Sequence, residues 1–504
     1  MENKSLTRKG VKGAFWKMSG SLFTILTQFV LLAILARLIS PKEFGYVAFI
    51  LILVGFTGLF SQMGIGPALI QKDQLSKQEI RTGYTLSLLF GTVLGLLFAL
   101  VTPFIARSFD MEPITNGLYF IAFLFPIKSL TGTGMALLTR DLKFAACEKI
   151  NIISLVFGYA LFAIVFAFLG YGFWALLFGQ FAKMVIACIL MWFYCKPIFT
   201  SKMLKIDIKN LLFFGSGFTL NTIVGYLSDT IDNLLVGKFL GPQKLGIYSK
   251  AYQLYSVPAS LFGGIYDSVM FPILSQRKND KEKIANFYFF SVCQSIMILA
   301  PISILVFLHA DLIIWIMLGP GWEESIKIIQ VLILGLPFRF GFRINRSFLK
   351  STGLIFNSIV FELIFLLSLM AFGFIGSKFF GLVGLAFGVL TASITFFFSC
   401  YIYISLKFSL LSSNNAKLFG SYLLFYLPFI AGLFTYLWYF EMDINVYLSF
   451  VISILFVIVS FFLTFNKRSI MLIESNSLLY KQIMKNLPEQ IQNKIIGLIK
   501  RFGF

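Results

Sequence analysis

Arg339, Arg343 and Arg346 stand at i, i+4 and i+7 inside one continuous apolar run, a spacing that places three guanidinium groups on one face of a helix. Lys128 and Lys183 lie inside two further apolar runs. Guanidinium groups match phosphate oxygens in pairs, so Lys128, Lys183, Arg339, Arg343 and Arg346 together suggest a cationic lumen that receives an anion, a pyrophosphate or an acidic sugar. The plain structural reading is snorkelling to an interface or pairing with a carboxylate from another run, and it weighs most for Arg346, near the end of its run. The acidic counterparts are Asp229 and Asp232 at i, i+3 within GYLSDTIDNLL, then Asp267 and Glu362. Two roles stand open for Asp229, Asp232 and Glu362: balancing the arginines and fixing helix packing, or binding a coupling ion, a proton or sodium.

No residue pattern for covalent chemistry accompanies these charges. The chain has no phosphate-loop lysine, no nucleophile elbow and no metal-ligand spacing, so it is expected not to be an enzyme and to hold no resident cofactor beyond a coupling proton or sodium ion. Five cysteines (Cys147, Cys188, Cys195, Cys293 and Cys400) lack any paired spacing and read as free packing residues. The single histidine, His309, ends an apolar run beside Asp311; a proton relay stands open there, and the plainer reading is an interfacial, partly solvated side chain.

Charges this costly need elements that can carry them through lipid. Of 504 residues 58% are hydrophobic and only 13% charged, with 62 Phe and a mean hydropathy of +0.87. A soluble domain carries about 25% charged residues, so a soluble enzyme and a disordered chain are both excluded. Continuous apolar runs exclude an outer-membrane barrel, whose strands alternate. Fourteen runs stand out, near 14–37, 44–66, 83–106, 115–138, 150–169, 172–194, 211–237, 246–273, 286–309, 325–349, 355–376, 380–405, 418–440 and 444–465. The net charge of +20 gathers in alternate connections, as topology and anionic lipid headgroups require, rather than on a nucleic-acid face. One side holds Lys72, Lys77, Arg81, Arg140, Lys143 and the tail cluster from Lys467; the other has only Arg37, Lys42, Arg107, Lys238, Lys244 and Lys378, with Glu323 and Glu324. Both termini are therefore expected in the cytoplasm. The translocated loops are too short to build an external catalytic domain. Residues 467–504 carry Lys between apolar residues at helical spacing, as an amphipathic tail on the inner leaflet would.

The chain also repeats itself. ARLISPKEFGYVA (36–48) aligns with GKFLGPQKLGIYS (237–249), matching Pro41 to Pro242 and Gly45 to Gly246. FLFPIKSL (123–130) aligns with LGLPFRFG (334–341), matching Pro126 to Pro337 and Lys128 to Arg339, and the offset grows from 201 to 211 between the two places. The difference predicts an insertion in the loops flanking the ninth run. The expected fold is an all-α polytopic membrane protein: a six-helix lobe over 1–200, a second over 201–410, two additional transmembrane helices over 411–466 and a tail. Six spans per lobe relate the lobes by an axis along the membrane normal, a plan suited to rocking around a central site.

IDNLLVGKFLGPQKLGIYSKAYQL (231–254), FPILSQ (271–276), GIGPALIQKDQL (64–75) and LISPKEFGYVA (38–48) resemble the polysaccharide-exporter branch of the Wzx-type flippases, which contains colanic-acid and teichuronic-acid exporters. The resemblance covers residues 10–405, and the superfamily also holds multidrug extruders and the lipid II flippase. It implies a two-lobed, V-shaped transporter moving undecaprenyl-pyrophosphate-linked oligosaccharides across the bacterial inner membrane, alongside polysaccharide polymerase and export machinery. It implies a cationic lumen, which agrees with Lys128, Lys183 and Arg339. A cation in the second lobe is also implied, with Asp229, Asp232 and Glu362 as nearest candidates. Three alternatives are a lipid II flippase, a drug or cation extruder, whose lumen should be acidic, and a membrane glycan polymerase or ligase, which needs a long external loop.

The charge alternation makes a direct prediction. A single cysteine placed after Lys467 should react with thiol reagents only once the inner membrane is permeabilised; labelling in intact cells would overturn the even span count.

Overall fold

The computed structural model describes residues 2–62, 65–72, 75–200, 205–276 and 281–408, and among these every regular element is a helix. Lipid offers the backbone no hydrogen bonds, so a chain of this composition must satisfy each N–H and C=O within its own segment. In order the helices are α1 (Glu2–Leu38), α2 (Pro41–Gln62), α3 (Ile65–Gln71), α4 (Lys77–Ser108), α5 (Thr115–Ala122), α6 (Leu124–Arg140), α7 (Phe144–Ile153), α8 (Leu161–Phe168), α9 (Phe173–Cys195), α10 (Lys205–Phe239), α11 (Gly241–Gln276), α12 (Lys281–Leu308), α13 (Ala310–Met317), α14 (Glu324–Leu334), α15 (Leu336–Ser351) and α16 (Ile355–Lys407). Each of the first twelve apolar runs falls on one of these helices or on an adjoining pair. The runs at 418–440 and 444–465 and the amphipathic tail lie outside the described residues.

Among the described residues six helices are long and apolar enough to cross a bilayer, or eight if each of two bent pairs counts as one span. The chain is thus a multi-pass membrane protein. By contacts it divides into two units, residues 1–278 with 310–403, and residues 279–309 with 404–504. The described part of the second unit is α12, His309 and residues 404–408, and His309 is buried, not partly solvated as its terminal position suggested. The five cysteines are free, as their spacing implied.

Within the first unit, the two bends fall where the repeat aligns. α5 and α6 meet at 46° around Phe123, and α14 and α15 meet at 50° around Gly335. Pro126 and Pro337 follow each bend inside the first turn of the next helix, where a missing N–H costs nothing. The ten-residue growth in offset has a physical location too: α13 and the turn after it stand where the first half has only a short 3-10 turn over Glu112–Ile114.

The repeat also meets itself. Among the described residues α2 and α11 form the most extensive helix pair, and they cross at Gly45 and Gly246. A Cβ at Gly45 would overlap the carbonyl oxygen of Pro242, and a Cβ at Gly246 would overlap the carbonyl oxygen of Pro41. Small residues are what let membrane helices approach this closely. α16 uses the same device: Gly381 (φ 59°, ψ −138°) breaks it, and the two arms fold back so that Gly376 meets Gly384 and Gly373 meets Gly388. It therefore supplies both the eleventh and twelfth runs.

Connections assigned to one side of the membrane do come together. At the Lys/Arg-rich side the Arg140 guanidinium donates to the carbonyls of Leu69 and Lys72, and Glu79 closes the α4 capping box with Ser76 while pairing with Lys72. At the other end the turn after α13 closes over the tips of α1, α2 and α11. The Trp322 indole is buried, donates to Ala36 O at 3.1 Å and meets the Phe44 ring edge-on at 5.5 Å. Arg37 donates to the carbonyls of Trp315 and Ile316, and Lys244 pairs with Glu324 at 2.6 Å.

Valine at Gly45 or Gly246 should force this end open, because overpacked backbone contacts must separate. A cysteine replacing buried Val47 reports it: labelling by a membrane-impermeant thiol reagent should rise several-fold in either valine background. Unchanged labelling would show that the crossing tolerates a side chain and does not close this end.

Candidate functional site

α15 positions most of the candidate site. Its buried face carries Phe340, Ile344, Phe348 and Leu349, which anchors the helix and turns Arg339, Arg343 and Arg346 toward α10, α11 and α16. Gly341 packs directly against the Phe397 ring, which sets the depth of that anchor.

Each arginine meets a different answer. The Arg339 Nη2 donates to Asp229 Oδ1 on α10 at 2.7 Å and to the Tyr252 hydroxyl on α11 at 3.2 Å. Its guanidinium lies over the Phe342 and Phe365 rings, 5.0 and 5.2 Å from their centroids, while Nη1 is buried with no hydrogen-bond partner. Arg343 donates to the Ala259 carbonyl at 3.3 Å, over Gly263, where any side chain would displace it. Arg346 pairs with Glu362 on α16 at 2.8 Å and covers the Phe342 ring at 4.9 Å. α15 itself has no acidic residue; α10 and α16 supply the carboxylates.

The carboxylates expected as a coupling-ion set are therefore distributed among separate partners. Asp229 is on Arg339 and Glu362 is on Arg346. Asp232 is buried, accepting from the Tyr248 hydroxyl at 2.8 Å and from Asn233. No group of three His, Cys, Asp or Glu residues that could hold a metal occurs among the described residues. In this conformation the carboxylates do the balancing and packing work that was the first of their two readings.

Lys128 and Lys183 belong to the first half. The Lys128 ammonium on α6 donates to the Val54 carbonyl on α2 at 3.0 Å and rests on Gly58. Lys183 on α9 is half-buried, with its backbone against Gly158 in a π-helical turn (Ser154–Ala160) between α7 and α8. Neither lysine has a carboxylate partner among the described residues.

Two further residues face these elements. Lys250 on α11 donates to Gln253 at 3.2 Å and lies over the Phe44 ring at 4.6 Å, one turn below the glycine crossing. Its position inside the eighth apolar run was the available signal. The Tyr226 hydroxyl donates to Ile52 O at 2.6 Å, tying α10 to α2, and no sequence pattern marks it. Tyr252 and Tyr255 form a ladder with Tyr248 on α11 at centroid spacings of 5.9 and 5.5 Å.

A family model described as "Polysaccharide biosynthesis protein" matches residues 34–327. The chain is 27% identical over 355 residues to the teichuronic acid biosynthesis protein TuaB of Bacillus subtilis (strain 168), covering 69% of this chain and 72% of that one. It is 24% identical over 429 residues to the lipopolysaccharide biosynthesis protein WzxC of Escherichia coli (strain K12), covering 84% and 86%. Its fold is similar to the lipid II flippase MurJ in an inward closed conformation, with a TM-score of 0.69, 15% identity and coverage of 88% and 96%.

The two ion pairs of α15 should differ in stability terms. Glu362 is 1% exposed and Asp229 is 48% exposed. Glu362→Gln strands Arg346 beside a buried amide and should cost about 3 kcal/mol, whereas Asp229→Asn should cost no more than about 1 kcal/mol. Thermal unfolding of the purified variants in detergent checks the order; a larger loss in Asp229→Asn would reverse the assignment.

Proposed function

The chain belongs to the polysaccharide biosynthesis protein family, and from that premise we propose that it is a flippase that exports undecaprenyl-pyrophosphate-linked oligosaccharide units for surface polysaccharide assembly. Arg339 carries this reading. A guanidinium lying over two adjoining aromatic rings, with one nitrogen buried and unbonded, is a preformed receptor for a phosphate oxygen. The relatives' names point the same way, since they are named for making or transporting teichuronic acid, lipopolysaccharide and succinoglycan. The function is transport and not catalysis. Its sequence carries no motif for hydrolysing a nucleotide, so uphill export draws on an ion gradient, on the membrane potential or on removal of the product.

The proposed cycle begins in the cytoplasm of the bacterial cell, where the lipid-linked unit is assembled and where both termini lie. The pyrophosphate enters between the halves and is met by Arg339, Arg343 and Arg346 in the second half and by Lys128 and Lys183 in the first. Binding neutralises these cations and lowers the electrostatic cost of bringing the cytoplasmic ends together. Rocking the halves then parts the α2–α11 crossing and the turn that carries Trp322, opening the opposite end. Membrane lipids surround the outer helices, and a polysaccharide polymerase receives the delivered unit. A proton or sodium ion could drive the return step through Asp229, Asp232 or Glu362.

Arg339→Ala and Lys128→Ala should each abolish surface glycan while protein abundance holds, and Arg339→Lys and Lys128→Arg should restore part of it. The assay is glycan on intact cells of a strain carrying the chain as its sole exporter. Normal surface glycan in both alanine variants would reduce these residues to packing partners and remove the basis for phosphate recognition.

A further inference from the structure

The two ion pairs of α15 are built differently, and the difference has a function. Glu362 is enclosed, so parting it from Arg346 would strand a carboxylate away from water. Asp229 is nearly half exposed, so it can leave Arg339 and remain solvated. The guanidinium it would leave is held independently by the Phe342 and Phe365 rings and by the Tyr252 hydroxyl. Asp229 also engages Arg339 through one nitrogen only, which leaves Nη1 buried and unbonded. A monodentate carboxylate on a fork that accepts two oxygens is a weak occupant of a strong site. Asp232, three residues further along α10, cannot substitute for it, because Tyr248 and Asn233 hold both of its oxygens.

We propose that Asp229 is a resident stand-in for the substrate's phosphate. It occupies Arg339 while the transporter is empty, and it is displaced when the phosphate takes both nitrogens of the fork. This deepens the flippase reading and rests on it. In the empty protein the pair keeps a bare cation out of a low-dielectric lumen. In the loaded protein the released carboxylate stays within reach, three residues from the anchored Asp232, and competes to return. That competition weakens phosphate binding and speeds release. Asp229 is thus a positioning and affinity-setting residue, and its loss should tighten substrate binding, the reverse of what loss of a structural ion pair would do.

Purified full-length protein in detergent, with geranylgeranyl pyrophosphate as probe, tests this. Asp229→Asn should bind the probe about three- to tenfold more tightly than the wild type while exporting less glycan in cells, and Asp229→Glu should behave like the wild type. Arg339→Ala should lose the binding. A second measurement uses the unaltered chain. Labelling of Asp229 by a water-soluble carbodiimide and an amine, read by mass spectrometry, should rise several-fold on adding the probe, while Glu362 stays unlabelled. Inorganic pyrophosphate should release Asp229 as well, since the phosphate is the part recognised. Phosphatidylglycerol at equal concentration should not; if it does, the exchange belongs to bulk lipid and the assigned role is wrong. Equal or weaker probe binding by Asp229→Asn, or no gain in wild-type labelling at saturation, overturns the stand-in even where the wild type binds the probe. A wild type that binds no pyrophosphate at all sinks the flippase reading itself.

Discussion

A charge inside hydrocarbon has to be answered, at a cost of about 2.5–3.5 kcal/mol on insertion scales if it is not. α15 carries three such charges, and the arrangement around it follows from supplying the answers. Asp229 comes from α10, the Ala259 carbonyl from α11 and Glu362 from α16, so one helix's cations draw three others into a common neighbourhood. The aromatic face of α15 contributes as well, since Phe342 underlies both Arg339 and Arg346. In the first half the same problem has a leaner solution: Lys128, at the position aligned with Arg339, takes a backbone carbonyl of α2 in place of a carboxylate. The two halves share a bend and a cation but not the acid that balances it, which concentrates exchangeable charge in the second half.

Backbone proximity is the second constraint. Lipid offers helices no hydrophobic drive to associate, so association depends on close packing. Glycine supplies it at the crossing of α2 with α11, in the folded-back arms of α16 and where Gly158 meets Lys183. At the first of these the repeat is visible as geometry, with each proline carbonyl seated on the other half's glycine. A contact made from two copies of one short motif is self-complementary, as any interface on a twofold axis must be. The crossing itself is backbone on backbone, and one turn below it the Lys250 ammonium of α11 lies over the Phe44 ring of α2. The covering turn with Trp322 arises from the inserted residues around α13 and has no counterpart in the first half.

Membrane residence, helical class and the first twelve runs were legible in the sequence, because apolar length and the backbone's need for internal hydrogen bonds are local properties. The repeat was legible because turns constrain residue type: Pro41 and Gly45 match Pro242 and Gly246, and one crossing is made from the two copies. The connections grouped by their Lys and Arg content do meet at common ends. The α15 arginines were also legible in the sequence, since an arginine in an apolar run announces itself, whereas Lys250 was not singled out there.

Tertiary structure decided who answers them. Asp229 and Asp232 are three residues apart on one helix and look alike in sequence, yet one faces Arg339 half exposed and the other is sealed against Tyr248. Glu362 resembles both and is buried on Arg346. Partner choice depends on the rotation and depth of neighbouring helices, which are set by contacts such as Gly341 on Phe397 and Tyr226 on Ile52 between residues far apart in the chain. Periodicity assigns a residue to a face of its own helix; which helix lies opposite, and at what depth, is a property of the packed bundle alone.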